Sequence, residues 1–324
     1  MDLTFPADVE RAARACRDFA ESHVQERAAP GSALASLASR IAESPLAHFA
    51  VLRELGRVAA PWAETFRAAG LQFHDVARFG IEGFEAGLVG LALGDPRRRP
   101  APETLGVRAT PTGQLDGVAL VPGYMAPVDS LLIAATLSGD AKDVGVFLAT
   151  GPFGEGAVTL QRTPARVLER GEAAWRLLLA FKRGERLSQI ALAVGAASRA
   201  HELSLAAARE ASAAKDALAL GQGVQFQVAD DAIDLQVAET LALHSATLAE
   251  AGTLGDADLA STRFMVVEAL GRIAHRAAHV AGLFASTPPP WTTFFLELAR
   301  RLRLEGGAVE LDRREAALGV LQSA

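Results

Sequence analysis

Few residue combinations in this chain carry chemistry by their spacing alone. His275 and His279 lie four apart on one predicted helix, the separation that turns two imidazoles toward one zinc ion. The glutamate that follows the first histidine in a zinc protease is replaced by Arg276, and no third ligand is evident. The pair therefore reads as helix-surface or interface histidines, and no metal is expected. Gly151, Gly154 and Gly156 crowd together but lack the Lys-Ser/Thr that would hold a phosphate. No G-x-G-x-x-G follows a strand, and no G-x-S-x-G elbow is present. Two glutamates stand at helix or turn junctions. Glu185 precedes Arg186-Leu187 where a helical pattern begins, the place where the helix macrodipole stabilises a carboxylate. Glu305 precedes Gly306-Gly307, as a surface glutamate before a turn does.

The elements that must position these residues fall into three zones. Residues 1–95 read as an N-terminal helical domain: Val9, Ala12, Ala13, Cys16 and Phe19 recur at helical spacing, as do Leu46, Phe49, Ala50, Leu52 and Leu55, and Trp62 with Phe66. Residues 96–182 read as a central β domain. Its β-type runs are Val118 to Val121, Leu131 to Thr136, Val144 to Thr150 and Val158 to Leu160. Turn signals separate them at Thr112-Gly113, Asp116-Gly117, Ser138-Gly139-Asp140 and Gly151-Pro152. Residues 183–324 read as a C-terminal helical bundle. Three apolar stripes define it: Leu187, Ile190, Ala191, Val194, Ala197, His201, Leu205 and Ala208; Phe226, Ala229, Ile233 and Val237; Phe264, Val267, Leu270, Ala274 and Ala278.

Composition agrees with that order. Hydrophobic residues make up 50% and aromatics only 6%, a balance that favours Ala- and Leu-rich helices over strands. The formal charge of −6 gives no general attraction to nucleic acid. The basic run Arg97-Arg98-Arg99 sits between Pro96 and Pro100 and reads as a solvated loop. A single cysteine, Cys16, forms no internal disulfide, which fits a reducing cytoplasm. No signal peptide and no apolar run of about 20 residues is present, so no membrane partner is expected.

The informative stretch begins at Gly184-Glu185-Arg186-Leu187 and runs into an Ala-rich helix with a central Gly195. It continues to Gln222-Gly223-Val224-Gln225-Phe226-Gln227-Val228-Ala229-Asp230. Near the start, Val9-Glu10-Arg11 leads to Arg17-Asp18-Phe19-Ala20. These segments, with the helix–β–helix order, resemble the flavin-dependent acyl-CoA dehydrogenase family. The resemblance implies N-terminal helices, a middle β-barrel and a C-terminal four-helix bundle. It implies FAD, bound between the β domain and the bundle of a neighbouring subunit. A glutamate would take the α-proton of an acyl-CoA thioester while the β-hydrogen leaves as hydride. A carboxylate in an apolar, closed site is a competent base for so weak an acid.

Members place that base at one of two positions that converge in space. Glu185 stands at one. Leu304-Glu305-Gly306-Gly307 resembles the "Tyr-Glu-Gly-Thr" turn that carries the other. Glu185 has the better preserved surroundings. For the cofactor, the family's "Arg-x-x-Phe-Gly" segment, counted back from Gln222, falls on Ala211, Ala214 and Lys215, with Arg209 and Lys215 close enough to supply the missing charge. The "Gln-x-x-Gly-Gly" segment falls on His279, Gly282 and Leu283, and "Trp-Ile-Thr" falls near Tyr124-Met125-Ala126. Gly94-Asp95-Pro96 is at best a remnant of the flavin-side loop.

Three readings follow. The first is an FAD-dependent acyl-CoA or acyl-carrier thioester dehydrogenase, as a homo-oligomer or as a subunit that completes its flavin site with a related, fuller subunit. The second is a non-catalytic partner that keeps the fold without its own flavin site. The third, an unrelated helical protein, would lack a central β domain.

Overall fold

A computed structural model describes residues 5–23, 44–58, 89–95, 101–121, 128–137, 143–154, 156–213, 221–284, 289–305 and 307–323, with Ala60, Ala63 and Phe66. Trp62, Arg97 to Arg99, Met125 and Lys215 lie outside them.

Helix α1 (Ala7–His23) buries Val9, Ala13, Cys16 and Ala20, one face at helical spacing, against α2 (Pro45–Val58). Ser44 caps α2, its Oγ accepting the Ala47 amide at 3.0 Å, with Pro45 at the first helical position. Phe49, Ala50, Val51, Leu52 and Leu55 are buried on every side, because α2 lies between α1 and the long helix α3 (Gly171–Ala213). The α2–α3 crossing is set by glycine. A Cβ on Gly195 would stand 2.1 Å from the Arg53 carbonyl oxygen, and one on Gly56 would stand 3.0 Å from that of Leu192. The central glycine of the Ala-rich helix therefore permits close backbone approach.

The middle of the chain is one seven-stranded sheet, an open, curled half-barrel. Its strands are β1 (Val89–Ala92), β2 (Val107–Ala109), β3 (Gln114–Val121), β4 (Val128–Leu137), β5 (Val144–Phe153), β6 (Gly156–Pro164) and β7 (Arg166–Arg170). The order is β6-β3-β2-β4-β5-β7, with β1 parallel to β4 beyond β2. Leu131, Ile133 and Ala135 of β4 face the main core, while Leu132 and Ala134 face Ala174, Leu177, Leu178 and Phe181 of α3. Both faces are covered, which is why β4 reads as a continuous apolar run.

All four predicted β runs are strands. Asp116-Gly117 is not a turn between strands but a bulge inside β3, where the register with β6 shifts. Gly117 has φ +131°, and a Cβ there would meet the Gly106 carbonyl oxygen at 2.4 Å. Gly151-Pro152 likewise lies inside β5. Strands β1, β2 and β7 are short, at four, three and five residues, and were not among the predicted runs. Strand β1 lies within the zone read as helical. Helix α3 begins at Gly171, so the boundary drawn at residues 182 and 183 falls inside a helix. Residues 171–182 are helical because Ala174, Leu177, Leu178 and Phe181 lean on the sheet at helical spacing.

Helices α4 (Gln222–Glu250), α5 (Asp256–Phe284), α6 (Pro290–Leu302) and α7 (Val309–Ser323) complete the bundle, with α5 packed on α3, α4, α6 and α7. The second predicted stripe is corrected here. Phe226, Ile233 and Val237 are 59%, 62% and 45% exposed, while α4 turns Val224, Asp231, Ala238, Ala242, Ser245 and Ala246 inward. The apolar stripe faces out of this chain because small residues, not large ones, meet α5. Among the described residues no helix is long and apolar enough to cross a membrane.

Candidate functional site

Helices α3, α5 and α7 and the turn between α6 and α7 meet around one buried guanidinium. Arg263 is fully buried at a core position of α5. Its Nε donates to Gln189 Oε1 on α3 at 2.6 Å, and its Nη2 to the Leu302 carbonyl at 2.8 Å. It also donates to the Glu305 carbonyl and pairs with Asp312 of α7. Burial pushes the Asp312 carboxyl above its usual value, against the pull of Arg263 and Arg186. Arg186 adds ion pairs to Glu315 at 2.9 Å and to Asp312 at 3.4 Å.

Both candidate bases border this centre. Glu185 is only 4% exposed, and its charge acts on Arg263 and on Lys182. Burial lowers the Lys182 pKa, with Glu185 opposing the shift. The Glu185 Oε1 atom is buried with no hydrogen-bond partner. Glu305 shares the centre through its backbone carbonyl, while its carboxylate lies 3.7 Å from Arg301. Of the eight buried side-chain atoms without a hydrogen-bond partner among the described residues, four lie here: Glu185 Oε1, Arg186 Nε, Gln189 Nε2 and Asp312 Oδ1. Each unmet group costs about 1–3 kcal/mol. Asp312 Oδ1 still has its ion pair with Arg186, so Glu185 Oε1, Arg186 Nε and Gln189 Nε2 are the atoms left to meet water or a ligand.

The proposed cofactor contacts lie at the other end of the bundle. Arg209 is 24 residues beyond Glu185 on α3, roughly 36 Å along one helix. Gln222 opens α4, and His279 and Gly282 lie near the end of α5. All four are exposed around the small buried cluster of Ala208, Val224 and Val280. His279 Nδ1 is 2.8 Å from Gln227 Oε1. A Cβ on Gly282 would meet nothing within 4 Å, so its backbone is open to approach. These groups fit the phosphate-bearing part of a dinucleotide: exposed donors beside the N-terminus of a 29-residue helix. His275 is also exposed. The described residues contain no group of three or more His, Cys, Asp or Glu that could hold a metal ion.

Residues 175–321 match the family model for the acyl-CoA dehydrogenase C-terminal domain. Over those residues, just under half of its length, the chain is similar to the acyl-CoA dehydrogenase family. The fold agrees over the whole length. A glutaryl-coenzyme A dehydrogenase in complex with glutaryl-CoA superposes with a TM-score of 0.83 at 17% identity, covering 100% of this chain and 98% of that one. The Mycobacterium smegmatis glutaryl-CoA dehydrogenase with FADH2 gives 0.77 at 14%, covering 98% and 95%. The prolyl acyl carrier protein oxidase AnaB gives 0.78 at 14%, covering 98% and 100%. No curated protein sequence matches the chain. At these identities the structures establish the fold alone.

Gln189, Arg263, Asp312 and Lys182 were not among the residues singled out in the sequence. A signal existed for two of them. Gln189 interrupts the apolar run of α3, and Arg263 stands in phase with Leu259, Val266, Val267 and Leu270, the buried side of α5.

Proposed function

We propose that this chain is a subunit of a flavin-dependent acyl-thioester dehydrogenase, an oxidoreductase that introduces a 2,3-double bond into an acyl group carried on CoA or a carrier protein. The observation that carries the reading is the buried, unpartnered Glu185 Oε1. A bound flavin supplies the acceptor for the β-hydride. Glu185 takes the α-proton onto Oε1. The Arg263 guanidinium, on which the Glu185 charge acts, keeps positive charge near the enolate that forms. Burial of the surrounding α3 face excludes water from the proton transfer. Glu185 is preferred to Glu305 because Arg301 already occupies the Glu305 carboxylate.

Arg209, Gln222, His279 and Gly282 are too far along the bundle to serve the Glu185 end of their own chain. They would hold FAD for a neighbouring subunit, and the exposed Phe226–Ile233–Val237 stripe beside them is the face on which that subunit would pack. The partner is a second copy or a related, fuller dehydrogenase subunit.

The test is the visible spectrum of the protein after FAD addition and desalting, purified alone and with a co-expressed fuller relative. Flavin bands in either preparation, with turnover lost on Glu185→Gln and kept on Glu305→Gln, support the reading. Turnover that survives both substitutions removes the mechanism. A second reading, a non-catalytic partner, is favoured by Ala211 and Leu283 at positions where the family has an arginine and a glycine. Flavin bound in neither preparation beyond the partner's own share would establish it.

A further inference from the structure

Gln189 stands one turn beyond Glu185 on the same face of α3 and is fully buried. Arginine only donates, so the Gln189 atom that meets Arg263 Nε must be the amide oxygen. This contact fixes the amide. Its NH2 group points away from Arg263 and is buried with no acceptor. The neighbouring orphan, Glu185 Oε1, is an acceptor, yet the two do not bond to each other. One turn of α3 therefore carries an unused acceptor, and the next carries an unused donor.

A hydrocarbon chain laid along this face would leave the Gln189 NH2 unmet. A site built around a buried donor rejects ligands that lack the matching acceptor far more strongly than an apolar pocket rejects extra bulk. The offset between successive turns is about 5.4 Å. Two carbon–carbon bonds, the bond from C4 to its oxygen and a hydrogen bond of about 2.9 Å, bent as such a chain is, span that offset.

We infer that Gln189 Nε2 contacts the substrate, and that the acyl group carries a hydrogen-bond-accepting oxygen near C4, two carbons beyond the carbon that faces Glu185. Arg263 is the positioning residue, because it selects which end of the amide is presented. The inference rests on the acyl-thioester reading above and adds the polarity of the acyl chain to it.

The experiment is calorimetric titration of the full chain with 4-oxopentanoyl-CoA and with 4-methylpentanoyl-CoA. These acyl groups have nearly the same shape, but only the first carries an acceptor at C4. Neither flavin nor turnover is needed. The oxo compound should bind about tenfold tighter or more. Gln189→Leu should remove the preference. Gln189→Glu keeps the oxygen that Arg263 grips but has no NH2, so it should remove the preference with little change in Tm. Equal binding of both compounds by the unaltered protein overturns this inference and leaves the acyl-thioester reading standing. A preference that persists in both variants overturns it as well. Binding of neither compound removes the acyl-thioester reading and this inference with it.

Discussion

Glu185 and Glu305 offer the same carboxylate in two settings, and the difference assigns their roles. Glu185 has a buried oxygen with nothing bonded to it, whereas Glu305 faces Arg301. Glu185→Gln should lower kcat by about 10²–10⁴ while any bound flavin is retained, and Glu305→Gln should change kcat only a few-fold. Steady-state rates beside the flavin spectrum check both. Arg263 is a different case. Replacing it by Met strands the buried Asp312 charge, at an expected cost of about 3–5 kcal/mol in urea unfolding. Replacing Asp312 by Leu as well should recover most of that loss, because an apolar pair needs no solvation. The resemblance made Glu185 and Glu305 legible as candidates. Arg263 was legible only as a charge in phase with the buried side of α5; its pairing with Asp312 appears only once the bundle is assembled.

Among the helices, α4 and α5 are joined by an acid–base ladder. Arg276 Nε donates to Asp231 at 2.6 Å, and Arg272 grips Asp234 at 2.8 and 3.0 Å. Burial raises the Asp231 pKa to about 6, with Arg276 pulling the other way. The folded value lies above the unfolded one, so between about pH 4 and 6 the folded chain holds the extra proton. Stability from this group is therefore greatest below pH 4 and falls as pH rises to 6. Asp231→Asn should flatten that part of the stability–pH curve, measured by thermal unfolding. At the α2–α3 crossing, Gly195→Ala places a methyl 2.1 Å from a backbone oxygen. An expected loss of about 1–3 kcal/mol, read by chemical denaturation, follows from overpacking. The same scale shows why the sequence mislaid the start of α3. The motif at Gly184 marks chemistry, while the helix itself begins at Gly171, where the sheet ends. Asp116-Gly117 misled in the opposite way, because a bulge and a turn both need a glycine at positive φ.

On the scale of the whole molecule, the exposed Phe226–Ile233–Val237 stripe departs from a self-contained bundle. Ile233→Asp should lower the oligomer mass in light scattering without unfolding the chain. Unchanged mass would remove α4 as the subunit face. By itself the sequence determined the helix–β–helix order and the four main strands, because apolar period and turn chemistry are local properties; the family resemblance rested on the motifs at Gly184 and Gln222. Tertiary structure decided which α4 face is buried, since a stripe of large apolar residues has the same period whether it meets its own chain or another. It also decided that the Glu185 end and the Gln222–His279 end lie at opposite ends of the bundle. Separation along the sequence does not report that distance; an unbroken 43-residue helix does, because its rise per residue is fixed.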